Sequence, residues 1–255
     1  MPTVAGFNLT PVKSTALHRP ERIDLRPDGA VGDRRFLCIR DDGTRLSGIS
    51  KAALMPIRAE HDPDAHRLSL TFPGGAVVDG DDRSSGPVIP VALFDRVIPV
   101  RRIDPALTGA LRAHVMDDTL TLARVDEPEY AGGTHRVSIV SRASVEDLGS
   151  RVGDGALDPR RFRMLIEVDG LAPYDEDGWQ GGRVRVGDAI VRIGERMPRC
   201  VMTTLDPDTG VQDTPVLHAL ASYRKVGTQV VLGVYGDVER PGPIAVGDRV
   251  ELEPD

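Results

Sequence analysis

Along most of the chain, apolar and polar residues alternate in short runs instead of recurring every three or four positions. Residues 4–9, 34–40, 67–72, 88–93 and 96–102 read as strands. In 67–72 the alternation puts Leu68, Leu70 and Phe72 on one face, and Pro73-Gly74-Gly75 stops the run. Asp41-Asp42-Gly43 predicts a hairpin-type turn before Thr44-Arg45-Leu46, and Phe94-Asp95 predicts a corner. Strand patterns return at 136–140, 164–168, 189–193, 229–235 and 249–252. Val186-Gly187-Asp188 and Val246-Gly247-Asp248 each precede one of them, which is turn chemistry leading into a strand.

Helical spacing occurs three times. Asp104 as N-cap, Pro105 at the first helical position, and Leu107, Leu111 and Val115 on one face predict the first helix. Residues 143–151, with Val145 and Leu148 facing one way, predict the second. The third starts near Asp213 and carries Val216, Leu217, Leu220 and Tyr223. The pattern thus predicts a mainly β chain with a few helices. It divides into a small sheet or barrel over residues 1–103 and a second unit over 104–255.

Composition sharpens this. The 27 glycines and 20 prolines among 255 residues exceed the usual share of about an eighth and disfavour a helical bundle. A hydrophobic fraction of 40% excludes wholesale disorder, and two cysteines exclude a disulfide scaffold. A net charge of -7 argues against nucleic-acid binding but leaves room for a local anion site. No apolar run approaches the ~20 residues of a membrane span, and the N-terminus lacks a secretory pattern. The expectation is therefore a cytoplasmic chain without membrane association, in which a free thiol survives.

Cys200 is the first candidate for chemistry. Pro198 before it bars ordinary ladder pairing and predicts an irregular loop. Arg196 and Arg199 flank it, and cations favour a thiolate, which serves as nucleophile or soft-metal ligand; a small buried hydrophobe is the alternative. Cys38, between Leu37 and Ile39, reads as core. Lys13-Ser14 is either a phosphate-binding corner or an exposed turn. Arg34-Arg35 is equally ambiguous, and Arg163, entering an apolar run, needs a partner. The six histidines form no zinc pattern, and His135 and His218 show no partner. Dinucleotide fingerprint, phosphate loop and nucleophile elbow are all missing from the sequence.

The run from Pro198 to Gly210 (PRCVMTTLDPDTG) closely resembles the signature of MOSC domains, named after the C-terminal domain of molybdenum cofactor sulfurase. Pro11-Val12-Lys13-Ser14 and Gly32-Asp33-Arg34-Arg35-Phe36 resemble the N-terminal β-barrel domain of the amidoxime-reducing component group. Ser141-Arg142-Ala143, Phe162-Arg163, Trp179, Ser222-Tyr223-Arg224 and Tyr235 fit the same group. The resemblance implies a MOSC β-barrel plus an N-terminal β-barrel-like domain, with a molybdenum cofactor (molybdopterin) between them. It implies Cys200 as the metal ligand and catalytic residue. It also implies Lys13, Ser14, Arg35, Ser141, Arg163, Arg199 and Tyr235 as cofactor-binding positions. The implied reaction reduces hydroxylamines and amidoximes, small-molecule substrates, with electrons from an external donor protein.

Two departures lie on the implied cofactor face. The group's Phe-Arg-Pro-Asn is Phe162-Arg163-Met164-Leu165 here, and its Thr-Ala-Arg-Gln-like segment is Ser47-Gly48-Ile49-Ser50. They leave two further readings open. One is a cofactor-free protein in which Cys200 carries a persulfide or acts as nucleophile in sulfur transfer. The other is a module that delivers the pterin without turnover. Loops 79–87 and 127–133 are the candidates for shaping a pocket.

Overall fold

The alternating runs form strands because each sets its apolar residues on a core and its polar ones in water. In Arg22–Arg26 the exposure alternates strictly, with Ile23 and Leu25 buried. The computed structural model describes residues 1–94, 96–126, 130–153 and 155–254, and its elements are counted over these. Asp95 of the expected corner and residues 127–129 of the expected pocket loop lie outside them.

The largest sheet has eight strands. Its path runs Thr3–Phe7, Ile166–Asp169, Val137–Ser141, Gln229–Arg240, Ala189–Pro198, Arg183–Val186 and Val250–Glu253, with Lys225–Val226 pairing to the side. A Thr3–Arg249 bridge, and the bond from Val250 N to Pro2 O, join its two ends into a nearly closed barrel. The barrel core holds Phe7, Ile139, Leu165, Trp179, Val191 and Val234. A four-stranded sheet (Phe36–Arg40, Leu120–Val125, Arg96–Arg102, Ser85–Leu93) and a three-stranded one (Arg58–Asp62, Arg67–Thr71, Val77–Asp81) make up the rest, with a small sheet linking Arg22–Arg26 to Gly242–Ala245. The expected mainly β, barrel-based architecture is what the chain adopts.

The division expected after residue 103 is crossed in both directions. Thr3–Phe7 and Arg22–Arg26 pair with strands of the second half. Conversely, Leu120–Val125 pairs with Phe36–Arg40, and the first helix, α1 (Pro105–Val115), buries Leu107, Leu111 and Val115 against Phe36, Leu68 and Leu70. Cys38 lies in that same core, and burial pushes its thiol up to about 12. Helices α2 (Arg142–Val152) and α3 (Val216–Tyr223) pack together outside the barrel. No helix among the described residues is long and apolar enough to cross a membrane.

One expectation is corrected. Residues 196–198 are not an irregular loop: the strand continues to Pro198, which pairs with Val231. Register shifts between Ile193 and Arg196, and between Arg196 and Pro198, break the ladder where the proline lacks its N–H. The irregular segment begins at Arg199.

Helix α1 is capped as its sequence requires, with Asp104 Oδ1 accepting from Ala106 N at 2.7 Å. Its C-terminus is costlier. Met116 sits there at φ 52°, 88% exposed, where glycine is the favoured residue. Met116→Gly is expected to raise stability by about 0.5–1 kcal/mol, read as a higher urea midpoint at unchanged slope; an unchanged or lower midpoint contradicts it.

Candidate functional site

Four chain segments converge between the barrel and the N-terminal sheets. The first is the corner Pro11–Thr15, pinned to the strand Phe36–Arg40 by the bond from Lys13 N to Phe36 O (2.8 Å). The second is Asp33-Arg34, which leads into that strand. The third is Arg163, at the end of the 3-10 turn Pro159–Phe162. The fourth is Arg199-Cys200, where the strand Ala189–Pro198 ends. Ser14, Arg34 and Arg163 all adopt positive φ (77°, 47° and 51°), so backbone strain is concentrated where these segments meet.

Asp33 organises the centre. It is 1% exposed. Its Oδ1 accepts from Thr10 N (3.0 Å), and its Oδ2 accepts from the Tyr130 hydroxyl (2.7 Å) and from Arg34 Nη1. Arg34 also donates to Tyr130 Oη (3.2 Å) and to the carbonyl of Arg163 (3.0 Å). Asp33 and Tyr130 together raise the Arg34 pKa despite its burial.

The neighbouring cations have no such partner. Lys13 Nζ donates to the carbonyls of Ala131 (2.5 Å) and Gly132 (2.8 Å). Arg163 Nη2 donates to Thr15 O (2.7 Å). Arg199 donates to Phe162 O (2.5 Å) and to the Met164 sulfur (3.2 Å), and its Nε is buried without a partner. Among the described residues none of the three makes an ion pair. Burial, then the charges of Arg34, Arg45 and Arg163, hold the Lys13 pKa well below its ordinary value. Burial and the Arg34 charge push Arg163 down to about 9. Burial pushes Arg199 down to about 10, a fall partly offset by Cys200 and Tyr235. Partial compensation from carbonyls leaves positive charge that an anion would neutralise.

Cys200 is exposed and caps the 3-10 turn Val201–Thr204, its carbonyl accepting from Thr203 N (3.1 Å) and Thr203 Oγ1 (3.0 Å). Tyr235 is half-buried, which raises its pKa, and it interacts electrostatically with Arg199 and Cys200. Its ring also contacts His135 at 5.1 Å. The signature loop behind Cys200 is latched by two arginines: Arg161 grips Asp213 through two bonds (2.7 and 2.6 Å), and Arg160 grips Asp208 (2.8 and 2.7 Å).

The expected positions therefore divide. Lys13, Ser14, Arg163, Arg199, Cys200 and Tyr235 come together. Arg35 is paired with Asp28 at 3.0 Å, and its neighbour Arg34 faces the cluster. Ser141 lies at the start of α2. Its N–H donates to the buried Glu176 (3.2 Å), whose carboxyl burial raises above the ordinary range, and its Oγ is buried without a partner. Asp33, Tyr130 and Arg45 escaped sequence reasoning, because only the fold brings residues 33, 45 and 130 together. His135, without a visible partner in sequence, donates from Nδ1 to the Asp237 carboxylate at 2.7 Å.

Both departures can be placed. Leu165 is 1% exposed in the barrel core, so an apolar contact replaces an amide there. Gly48 packs on Met202, two residues past Cys200; a Cβ at Gly48 would come within 3.0 Å of the Met202 Cε. A larger residue there would press on the cysteine loop.

Residues 126–251 match the family model described as the MOSC domain. The chain is 35% identical to mitochondrial amidoxime-reducing component 1 of Danio rerio over 257 residues, covering 87% of this chain and 74% of that protein. It is 29% identical to the Homo sapiens protein of the same name over 226 residues, 84% of this chain but 64% of that one. Molybdenum cofactor sulfurase of Caenorhabditis briggsae is 25% identical over 250 residues, 92% of this chain and 33% of its own length. A solved structure, the YUAD protein from Bacillus subtilis, aligns over 99% of this chain and 96% of its own at 15% identity and TM-score 0.49.

If the unneutralised cations form an anion site, phosphate raises the melting temperature more than chloride at equal ionic strength. The expected difference shrinks in Lys13→Met and Arg163→Met and persists in Arg35→Met. Equal shifts in all four proteins contradict the assignment.

Proposed function

The chain belongs to the MOSC domain family, and from that premise we propose that it is a molybdenum-cofactor-dependent oxidoreductase reducing N-hydroxylated compounds such as hydroxylamines and amidoximes. The observation that carries this reading is the group of half-buried cations Lys13, Arg163 and Arg199, which among the described residues pair with no carboxylate and lie beside an exposed thiol. Such a set suits a ligand with a phosphate at one end and a soft metal at the other.

Lys13 and Arg163 would hold the phosphate, with Arg34 fixed behind them by Asp33. The Cys200 sulfur would ligate the metal, because a thiolate suits a sulfur-rich shell. When bound, the cofactor supplies two-electron chemistry, R–NH–OH + 2e⁻ + 2H⁺ → R–NH₂ + H₂O, with electrons from a separate carrier protein. The chain's own residues bind and orient. Arg199, with a pKa near 10, keeps its charge next to Cys200 at neutral pH. Tyr235, its pKa raised by burial, keeps its proton there and can donate a hydrogen bond.

The exposure of Cys200 also supports a second reading, in which its sulfur carries a persulfide in sulfur transfer. One experiment separates the two. Protein purified from a host competent in cofactor synthesis is expected to contain stoichiometric molybdenum, lost in Cys200→Ala, and to reduce an amidoxime with an artificial donor. Repeated preparations without molybdenum, carrying one extra sulfur on Cys200 by mass spectrometry, would replace the first reading with the second.

A further inference from the structure

Of the seven non-glycine residues at positive φ among the described residues, Ser14, Arg34 and Arg163 build the anion site. Met116 and Tyr174 flank helical turns, and His66 lies in a hairpin turn. Phe94 remains. It sits at φ 58° in the tight turn between the antiparallel strands Ser85–Leu93 and Arg96–Arg102, which pair at Leu93 and Arg96, and it is 56% exposed. Such a turn requires positive φ and ordinarily takes Gly, Asn or Asp, so a largely exposed aromatic is an uncommon choice for the position.

What the ring does touch is the site. Lys13 Nζ lies 5.3 Å from its centroid, and the Arg45 guanidinium carbon lies 4.9 Å from it. Lys13 and Arg45 repel each other, and among the described residues neither makes an ion pair. A carboxylate between them would relieve the repulsion but would cancel the charge that an anion needs. An aromatic face attracts cations through its quadrupole and leaves their charge intact.

We propose that Phe94 is a positioning residue of the anion site: its ring holds Lys13 and Arg45 side by side without neutralising them, so that both charges serve a dianionic, phosphate-type ligand. The inference rests on the reading of Lys13 as a phosphate-binding residue. It goes beyond that reading in assigning Arg45 a role in phosphate binding, and in explaining why an aromatic occupies a turn position that favours Gly, Asn or Asp.

The test is calorimetric titration of the whole chain with inorganic phosphate, alongside thermal melting. Phe94→Leu keeps an apolar side chain but lacks the quadrupole, and Phe94→Asn suits the left-handed backbone but lacks the ring. Both are expected to bind phosphate about five- to thirty-fold more weakly. Phe94→Trp is expected to retain the affinity, and Phe94→Asn to melt above the wild type. A merely structural role would move stability without moving affinity. Wild-type affinity in Phe94→Leu and Phe94→Asn overturns the inference while leaving the cofactor reading intact. If the wild type does not bind phosphate, and Lys13→Met retains molybdenum, the phosphate-site reading falls and the Phe94 assignment falls with it.

Discussion

Among the described residues Asp33 is the carboxylate at the centre of a group of half-buried cations, and the rest of the site follows from that shortage. It is committed to Arg34, Tyr130 and the backbone of Thr10. Lys13, Arg163 and Arg199 are left to carbonyl oxygens and one sulfur. Charges withdrawn from water without a counter-ion are costly, and proteins keep them where a ligand completes the pairing. The depressed pKa values of all three express the same cost. A second carboxylate here would stabilise the empty chain and abolish the reason for the site.

The fold explains how such an arrangement is held. Neither the barrel nor the N-terminal sheets could hold it alone. Lys13 and Arg34 are fixed by the approach to the strand Phe36–Arg40, whereas Arg163, Arg199 and Tyr235 come from the barrel side. Tyr130, in the segment between Leu120–Val125 and Val137–Ser141, reaches back to Asp33. The crossing of strands ties the two halves together, since moving one against the other would break the pairing of Thr3–Phe7 with the barrel and of Arg22–Arg26 with Gly242–Ala245.

Much of this was legible in the sequence. The period-two runs and the Asp104-Pro105 cap report local physics, and they produced the strands and helix expected of them. The signature around Cys200 and the Lys13-Ser14 corner pointed to two of the four segments that the fold brings together. Sequence did not reveal how two adjacent arginines divide their partners: Arg34, at positive φ, pairs with Asp33 and reaches the Arg163 carbonyl, while Arg35 pairs with Asp28. Nor did it reveal Tyr130, Arg45 or Phe94, whose contacts with residues 13, 33 and 34 exist only after folding. Residues 196–198 read as a loop because proline usually ends pairing, yet successive bulges absorbed it. The pairing of early and late strands lies equally outside local pattern.

The central claim is that the cations lack a counter-ion until a ligand brings one. Its most direct test is the proton linked to anion binding. An anion beside Lys13 lifts its depressed pKa back toward the ordinary 10.5, so binding at mildly alkaline pH must take up protons. Sulfate, which does not titrate in that range, can be followed calorimetrically in buffers of different ionisation enthalpy. The account predicts net proton uptake that diminishes in Lys13→Met. Sulfate binding without proton exchange, or with proton release, would contradict it.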